Sequence, residues 1–133
     1  MSELVTSSLV TDDLLNAIMQ AESSGNPRAI GDLKLSQPAY GGFQVREIAF
    51  KDVQRIHPNE FAKIKFTQVQ KSPDMNRQVA RRYLEALEGH YGITDLDSLI
   101  SGYNQGPAVK RRGIINGTYV RKVKRFLSQP ETQ

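Results

Sequence analysis

Glu22 is the residue in this sequence best suited to moving a proton. It stands in the stretch "IMQAESSGNPRAIGD" (residues 18–32), four residues after Ile18, three after Met19 and seven after Leu15. At helical spacing it therefore continues an apolar stripe. A carboxyl group drawn toward a core is costly to ionise, which raises its pKa. One that keeps its proton near neutral pH can serve as a general acid. The alternative is a last helical turn that frays and delivers Glu22 to solvent. Two other segments offer polar groups in a comparable setting. Gln44 follows Gly41 and Gly42 in "AYGGFQV", where the glycines permit close backbone approach, and its amide can hydrogen-bond a polar ligand. Tyr103 and Asn104 stand in "SGYNQGP", at the end of another apolar stripe. Read alone, Tyr103 is equally a core tyrosine and Asn104 equally a helix terminator. Polar groups at helix ends beside glycine-bearing loops are how a cleft lined with hydrogen-bonding groups is built.

The elements that must hold these residues are mainly helical. Leu14, Leu15, Ile18 and Met19 mark a first helix, with Thr11 as its cap and Asp12 and Asp13 in its first turn. Gly25, Asn26 and Pro27 end it. Residues 28–42 are turn-rich and accommodate two or three short strands. Val45, Ile48, Ala49, Val53 and Ile56 mark a second helix, stopped at His57-Pro58-Asn59. Residues 61–70 read equally as helix or strand. Ser72 and Pro73 start a third helix, whose stripe is Met75, Val79, Ala80, Tyr83 and Leu87. Thr94 caps a fourth, with Asp97 three residues on, and Gly106-Pro107 closes it. Tyr119, Val120, Val123, Phe126 and Leu127 define a fifth. The pattern predicts an α+β, predominantly helical chain, with a small irregular β region after the first helix. It reads as a single domain over residues 1–133, with a core at about 11–127 and a polar tail at 128–133.

Composition excludes several chemistries. The 133 residues contain no cysteine and two histidines in unrelated contexts, so thiol nucleophiles and cysteine-ligated zinc are out and no metal or cofactor is expected. No stretch approaches the roughly 20 apolar residues that span a bilayer, so no membrane insertion is expected. The N-terminal stretch lacks the basic and apolar regions of a secretory signal. The net charge of +4 is unevenly placed: residues 98–130 contain no acidic residue but carry Lys110, Arg111, Arg112, Arg121, Lys122, Lys124 and Arg125. That third of the chain suits an anionic partner, whether nucleic acid, membrane surface or cell-wall polymer, or is a solvated basic face.

"ESSGNPRA", "GGFQV", "SGYNQGP" and finally "YV" at Tyr119-Val120 stand in the order and approximate spacing of the soluble lytic transglycosylase (SLT) domain. The chain resembles that family over residues 14–127. The resemblance implies a lysozyme-like fold related to goose-type lysozymes, and peptidoglycan glycan strands as substrate. By it, Glu22 matches the catalytic acid/base and Ser23 completes the usual "ES" pair. Gln44 matches the glutamine of "GLMQ" and Tyr103 the tyrosine of "AYNxGP", both lining the glycan cleft together with Asn104 and Tyr119. The sequence departs from the family at Gly42-Phe43, which replaces Leu-Met, so that Phe43 takes the apolar position near the scissile sugar. It departs again at Gly31, where many members carry serine. Gly31-Asp32 is closer to goose-type and phage-associated relatives.

The implied reaction breaks the β-1,4 bond between N-acetylmuramic acid and N-acetylglucosamine with one carboxyl group, and the sugar's own C6 hydroxyl closes a 1,6-anhydro ring. The alternative is a goose-type muramidase with a second carboxylate to activate water. Asp32 is the best candidate for that role and Glu47 a poor second, although Asp32 reads as well as a turn former after glycine, and Arg46 follows Gln44-Val45 where such relatives can carry another acid. A rival from another class is a small helical nucleic-acid-binding domain with 118–127 as its basic helix. It leaves Glu22 and the paired loops unexplained, and no nucleic acid is expected. The expected protein is an endolysin-like monomer, held in a host cytoplasm until released to the periplasm or cell wall, or else part of a virion or secretion machine. Anionic wall polymers would be further partners.

Overall fold

The computed structural model describes residues 8–31 and 37–128. Its elements run α1 (Asp12–Ser23), β1 (Ile30–Gly31), β2 (Ala39–Tyr40), α2 (Glu47–Ile56), α3 (Pro58–Phe61), α4 (Phe66–Lys71), α5 (Pro73–Gly89), α6 (Leu96–Gln105), α7 (Val109–Arg112) and α8 (Gly117–Ser128). This is the expected helical α+β arrangement with a small β region after the first helix. The long α5 packs on α1, α2, α4 and α6, while α8 closes against α1 and α6. Leu14, Leu15, Ile18, Leu84, Leu87, Leu99 and Ile100 form the centre of the core, each at most 1 % exposed. Burying such side chains is the main favourable term in folding, at about 1.5–3 kcal/mol each.

Local chemistry accounts for the helix ends. Thr11 has extended backbone and its hydroxyl accepts from the Leu14 amide at 3.1 Å, which satisfies one of the orphan donors of the first turn. α1 ends where Ser24 turns left-handed at φ 55° and its amide donates back to Gln20 O at 3.0 Å. Ser72 caps α5 in the same way, accepting from the Met75 amide at 3.1 Å, with Pro73 in the first turn. The cap of α6 is Asp95, not Thr94: the Asp95 carboxylate accepts from the Ser98 amide at 2.9 Å. Either residue is a suitable cap by type, and the one whose oxygen reaches the third amide of the helix takes the role.

Other departures from the sequence reading have similarly local causes. Val45 does not open α2. Its amide and carbonyl are both engaged by Tyr40, at 2.9 and 3.0 Å, in an isolated antiparallel bridge, so the helix starts two residues later. Pro58 does not simply stop the chain but begins α3, where its missing N–H costs nothing. The ambiguous stretch 61–70 contains the end of α3 and most of α4, helices of four and six residues. Elements that short carry no readable period.

The β region is what positions the loop expected to border a cleft. β1 and β2 pair antiparallel, Ile30 with Tyr40 and Gly31 with Ala39. Between Tyr40 and Val45 the chain makes a tight loop with Gly41 at φ 82° and Gln44 at φ 50°. Asn76, on α5 and 1 % exposed, holds that loop from below. Its carbonyl oxygen accepts from the Phe43 amide at 2.9 Å, and its amide donates to Tyr40 O at 2.9 Å and Val69 O at 3.1 Å. A side chain at residue 41 would start 2.5 Å from the Asn76 amide nitrogen, so glycine is required there for space as well as for conformation.

Replacing Asn76 by alanine takes away the partner of the buried Phe43 amide and of Val69 O, while Tyr40 O keeps the Val45 amide. We expect Asn76→Ala to lower stability by about 3 kcal/mol, read from urea unfolding. An effect below about 1 kcal/mol means the loop is held by other contacts.

Candidate active site

Glu22 lies in the last turn of α1, half-buried. The turn does not fray: it runs to Ser23 and is closed by the Ser24 cap. From the other end of the chain, the Tyr119 hydroxyl on α8 donates to Glu22 Oε2 at 2.7 Å. A hydrogen bond to a carboxylate favours its charged form and fixes its orientation. Tyr119 is 8 % exposed. Burial, then the negative charge of Glu22, then the bond itself hold its phenol far above the usual tyrosine range. Tyr119 therefore stays a donor across the whole range in which proteins are folded.

Ser23 ties the same turn to the loop, donating to Gly42 O at 2.7 Å with Met19 O a more distant acceptor at 3.2 Å. Tyr103, on α6, ties the loop from the opposite side by donating to Phe43 O at 2.7 Å. Its hydroxyl is enclosed, and its ionisation is opposed first by burial, then by the charges of Glu22 and Tyr83, with Arg46 acting the other way. Ser23 and Tyr103 thus hold one loop from two helices, and Glu22, next to Ser23, is held by Tyr119 from a third. The Phe43 ring does not face the sugar side: it is 3 % exposed and part of the core, with the Arg77 guanidinium 5.7 Å from its centre. Only its backbone carbonyl serves the site.

Gln44 lies over the β region. Its amide nitrogen donates to Ala29 O at 3.2 Å and Gly41 O at 3.0 Å. Its carbonyl oxygen is so close to Gly31 that a Cβ there would lie 2.3 Å away. A serine at residue 31 is incompatible with this placement of Gln44, so the departure at Gly31 and the direction of the Gln44 side chain belong to one local solution. Asn104 accepts from the Asn116 side-chain amide at 3.3 Å, which links the end of α6 to the start of α8. Asp32 lies outside the described residues. Glu47 is exposed and 3.9 Å from Lys51 one turn along α2.

Gln44, Tyr103 and Asn104 line a cavity of about 440 Å³ that runs between α2, α5 and α6. Val79 and Ala80 are also on its wall, with Tyr83 edge-on to Tyr103 at 5.9 Å between ring centres, and Asp52 and Tyr91 in the far part. Glu22 is not on that wall; Tyr103, whose ionisation its charge opposes, connects the two. At the far part, Asp52 is held by the Arg55 guanidinium and accepts from the Tyr91 hydroxyl at 2.8 Å. Tyr83 is 8 % exposed, and its hydroxyl has no hydrogen-bond partner among the described residues. Burial, then the Asp52 charge, then Tyr91 keep it from ionising. The sequence reading assigned Tyr83 to an apolar stripe and passed over Asp52 and Tyr91. Only the third dimension brings a tyrosine on α5, an aspartate on α2 and the second residue after α5's end to one wall.

The model of the transglycosylase SLT domain family matches residues 5–123. Comparison with curated proteins and with solved structures gives no match. The family match spans every residue that converges on the Tyr40–Val45 loop, and the helices and small sheet around it form the lysozyme-like architecture of that family. The chain belongs to the transglycosylase SLT domain family, whose activity is peptidoglycan cleavage of the lytic transglycosylase type.

Proposed function

We propose that this protein is a lytic transglycosylase in which Glu22 is the sole catalytic carboxyl group. The observation that carries the reading is the half-buried Glu22 with its Oε2 held by Tyr119 at 2.7 Å. Glu22 carries the acidic proton at the start of the reaction. Glu22 gives that proton to the glycosidic oxygen between N-acetylmuramic acid and N-acetylglucosamine, and the C1–O4 bond breaks as positive charge develops at C1. The carboxylate then takes the proton of the C6 hydroxyl, whose oxygen bonds to C1 and closes the 1,6-anhydro ring. The proton count returns to its starting point, and no water is consumed.

Ser23 and Tyr103 are positioning residues in this scheme, since each spends its hydroxyl proton on a loop carbonyl. Gln44 and Asn104 border the bound glycan. Tyr83 offers a donor on the cavity wall that has no partner among the described residues, suited to a carbonyl oxygen of the substrate.

Glu22→Gln is expected to lower sacculus clearance by a factor on the order of 10³ while the thermal midpoint holds. If the variant clears sacculi like the parent, the assignment of Glu22 is wrong. Mass spectrometry of muropeptides released by the parent is expected to find 1,6-anhydro ends; reducing ends would instead indicate hydrolysis with a second carboxylate such as Asp32. Tyr119→Phe removes a bond that favours the ionised form of Glu22. Since a general acid is lost as pH rises through its pKa, the alkaline limb of the activity profile should move up by about one unit. A limb that stays in place separates Tyr119 from the proton transfer. Tyr83→Phe should leave the midpoint unchanged or higher and raise KM for soluble glycan about tenfold. A lowered midpoint with unchanged KM makes Tyr83 a packing residue only.

A further inference from the structure

The outward face of α8 and the turn before it have a composition unlike the rest of the surface. Tyr119, Val120 and Val123 are buried, which leaves Thr118, Arg121, Lys122 and Arg125 on the exposed face at helical spacing. Lys124 lies to one side of them, paired with Asp97 at 2.9 Å. On α7, Arg111 and Arg112 are exposed, while the Lys110 ammonium folds back against Gly92. Residues 113–116 join the two helices, and here the chain presents two adjacent isoleucines to solvent: Ile114 at 41 % and Ile115 at 66 % exposure.

The turn that carries them is held in place. Gly113 O accepts from the Gln105 amide at 3.0 Å, the Ile115 amide donates to Gln105 Oε1 at 3.1 Å, and Asn116 Oδ1 accepts from the Tyr119 amide at 3.1 Å. The Arg121 guanidinium reaches back along α8 to Thr118 Oγ1 at 3.2 Å and lies beside Gly117. Its charge is thus brought to the base of the turn. An ordered tip with two large apolar side chains, bracketed by cations and in a stretch with no acidic residue between 98 and 130, has the makings of an interfacial anchor.

We propose that the α7–α8 turn is a peripheral docking site for an anionic phospholipid surface. The isoleucines enter the acyl boundary, and Arg111, Arg112, Arg121, Lys122 and Arg125 meet the lipid phosphates. A nucleic acid or an anionic wall polymer would engage the same cations but offers Ile114 and Ile115 no apolar phase. No helix among the described residues is long and apolar enough to cross a membrane, so this is attachment to one face. It is independent of the chemistry assigned to Glu22.

The test is co-sedimentation of the full chain with sucrose-loaded vesicles, of phosphatidylcholine alone or of equimolar phosphatidylglycerol and phosphatidylcholine. Binding is expected only to the anionic vesicles. The double variant Ile114→Ser/Ile115→Ser keeps every charge and should weaken partitioning by about tenfold or more, and Arg111→Gln and Arg121→Gln by about fivefold each. Ile30→Ser, at an exposed isoleucine on β1 (52 %), should bind like the parent. Equal binding to both vesicle types overturns the proposal, as does undiminished binding by the isoleucine variant or an equal loss in Ile30→Ser. A double variant that keeps vesicle binding but loses binding to sacculi or to duplex DNA overturns it too, assigning the turn to a polymer.

Discussion

The hydrogen bond from Tyr119 to Glu22 joins residues 97 apart in sequence, and most of the architecture can be understood as what makes that bond possible. α1 must end at Ser23, so that the carboxyl group is carried on a rigid turn rather than a loop. α8 must lie along α1 with its first turn level with that end. Both conditions are met by apolar burial: Leu14, Leu15 and Ile18 on one side and Val120 and Val123 on the other enter the same core. The bond itself is a small part of the stability. Its weight is geometric, because it converts generic helix packing into a fixed carboxyl plane next to a cleft.

The loop between β2 and α2 is the second partner, and it is over-determined. Ser23, Tyr103 and Asn76 each bind a different backbone group of its short run from Gly42 to Phe43 or of the neighbouring Tyr40. These three come from α1, α6 and α5, so any shift of one helix strains the bonds made by the others. The left-handed Gln44 and the extreme closeness of its amide to Gly31 are tolerated because this loop has nowhere else to go. By contrast Tyr83, on the same cavity, is under-determined: packed by its ring, it has a polar end left for whatever occupies the cleft.

What could be read without the structure followed from how far each signal reaches along the chain. Glu22 was legible because a helix and a Gly-Asn-Pro exit place it within a dozen residues of everything that defines its address. The caps at Thr11 and Ser72, and the stripes of α1, α5 and α8, are local in the same sense. Asp95 and Thr94 are neighbours of equal suitability, and only the reach of one oxygen separates them. The Phe43 ring and the Gln44 amide were less legible, since their directions are set by positive φ values and by Asn76 thirty residues on. α7, at four residues, leaves no period to detect. Asn76 itself looks like any polar residue of a helix until the loop that it supports is folded over it.

The 97 residues between Glu22 and Tyr119 also have a consequence in time. During synthesis Glu22 emerges well before Tyr119. Until α8 leaves the ribosome, the pair does not exist and α1 lacks the surface that buries its far side. A nascent chain, or one cut before α8, therefore has the carboxyl group without its anchor.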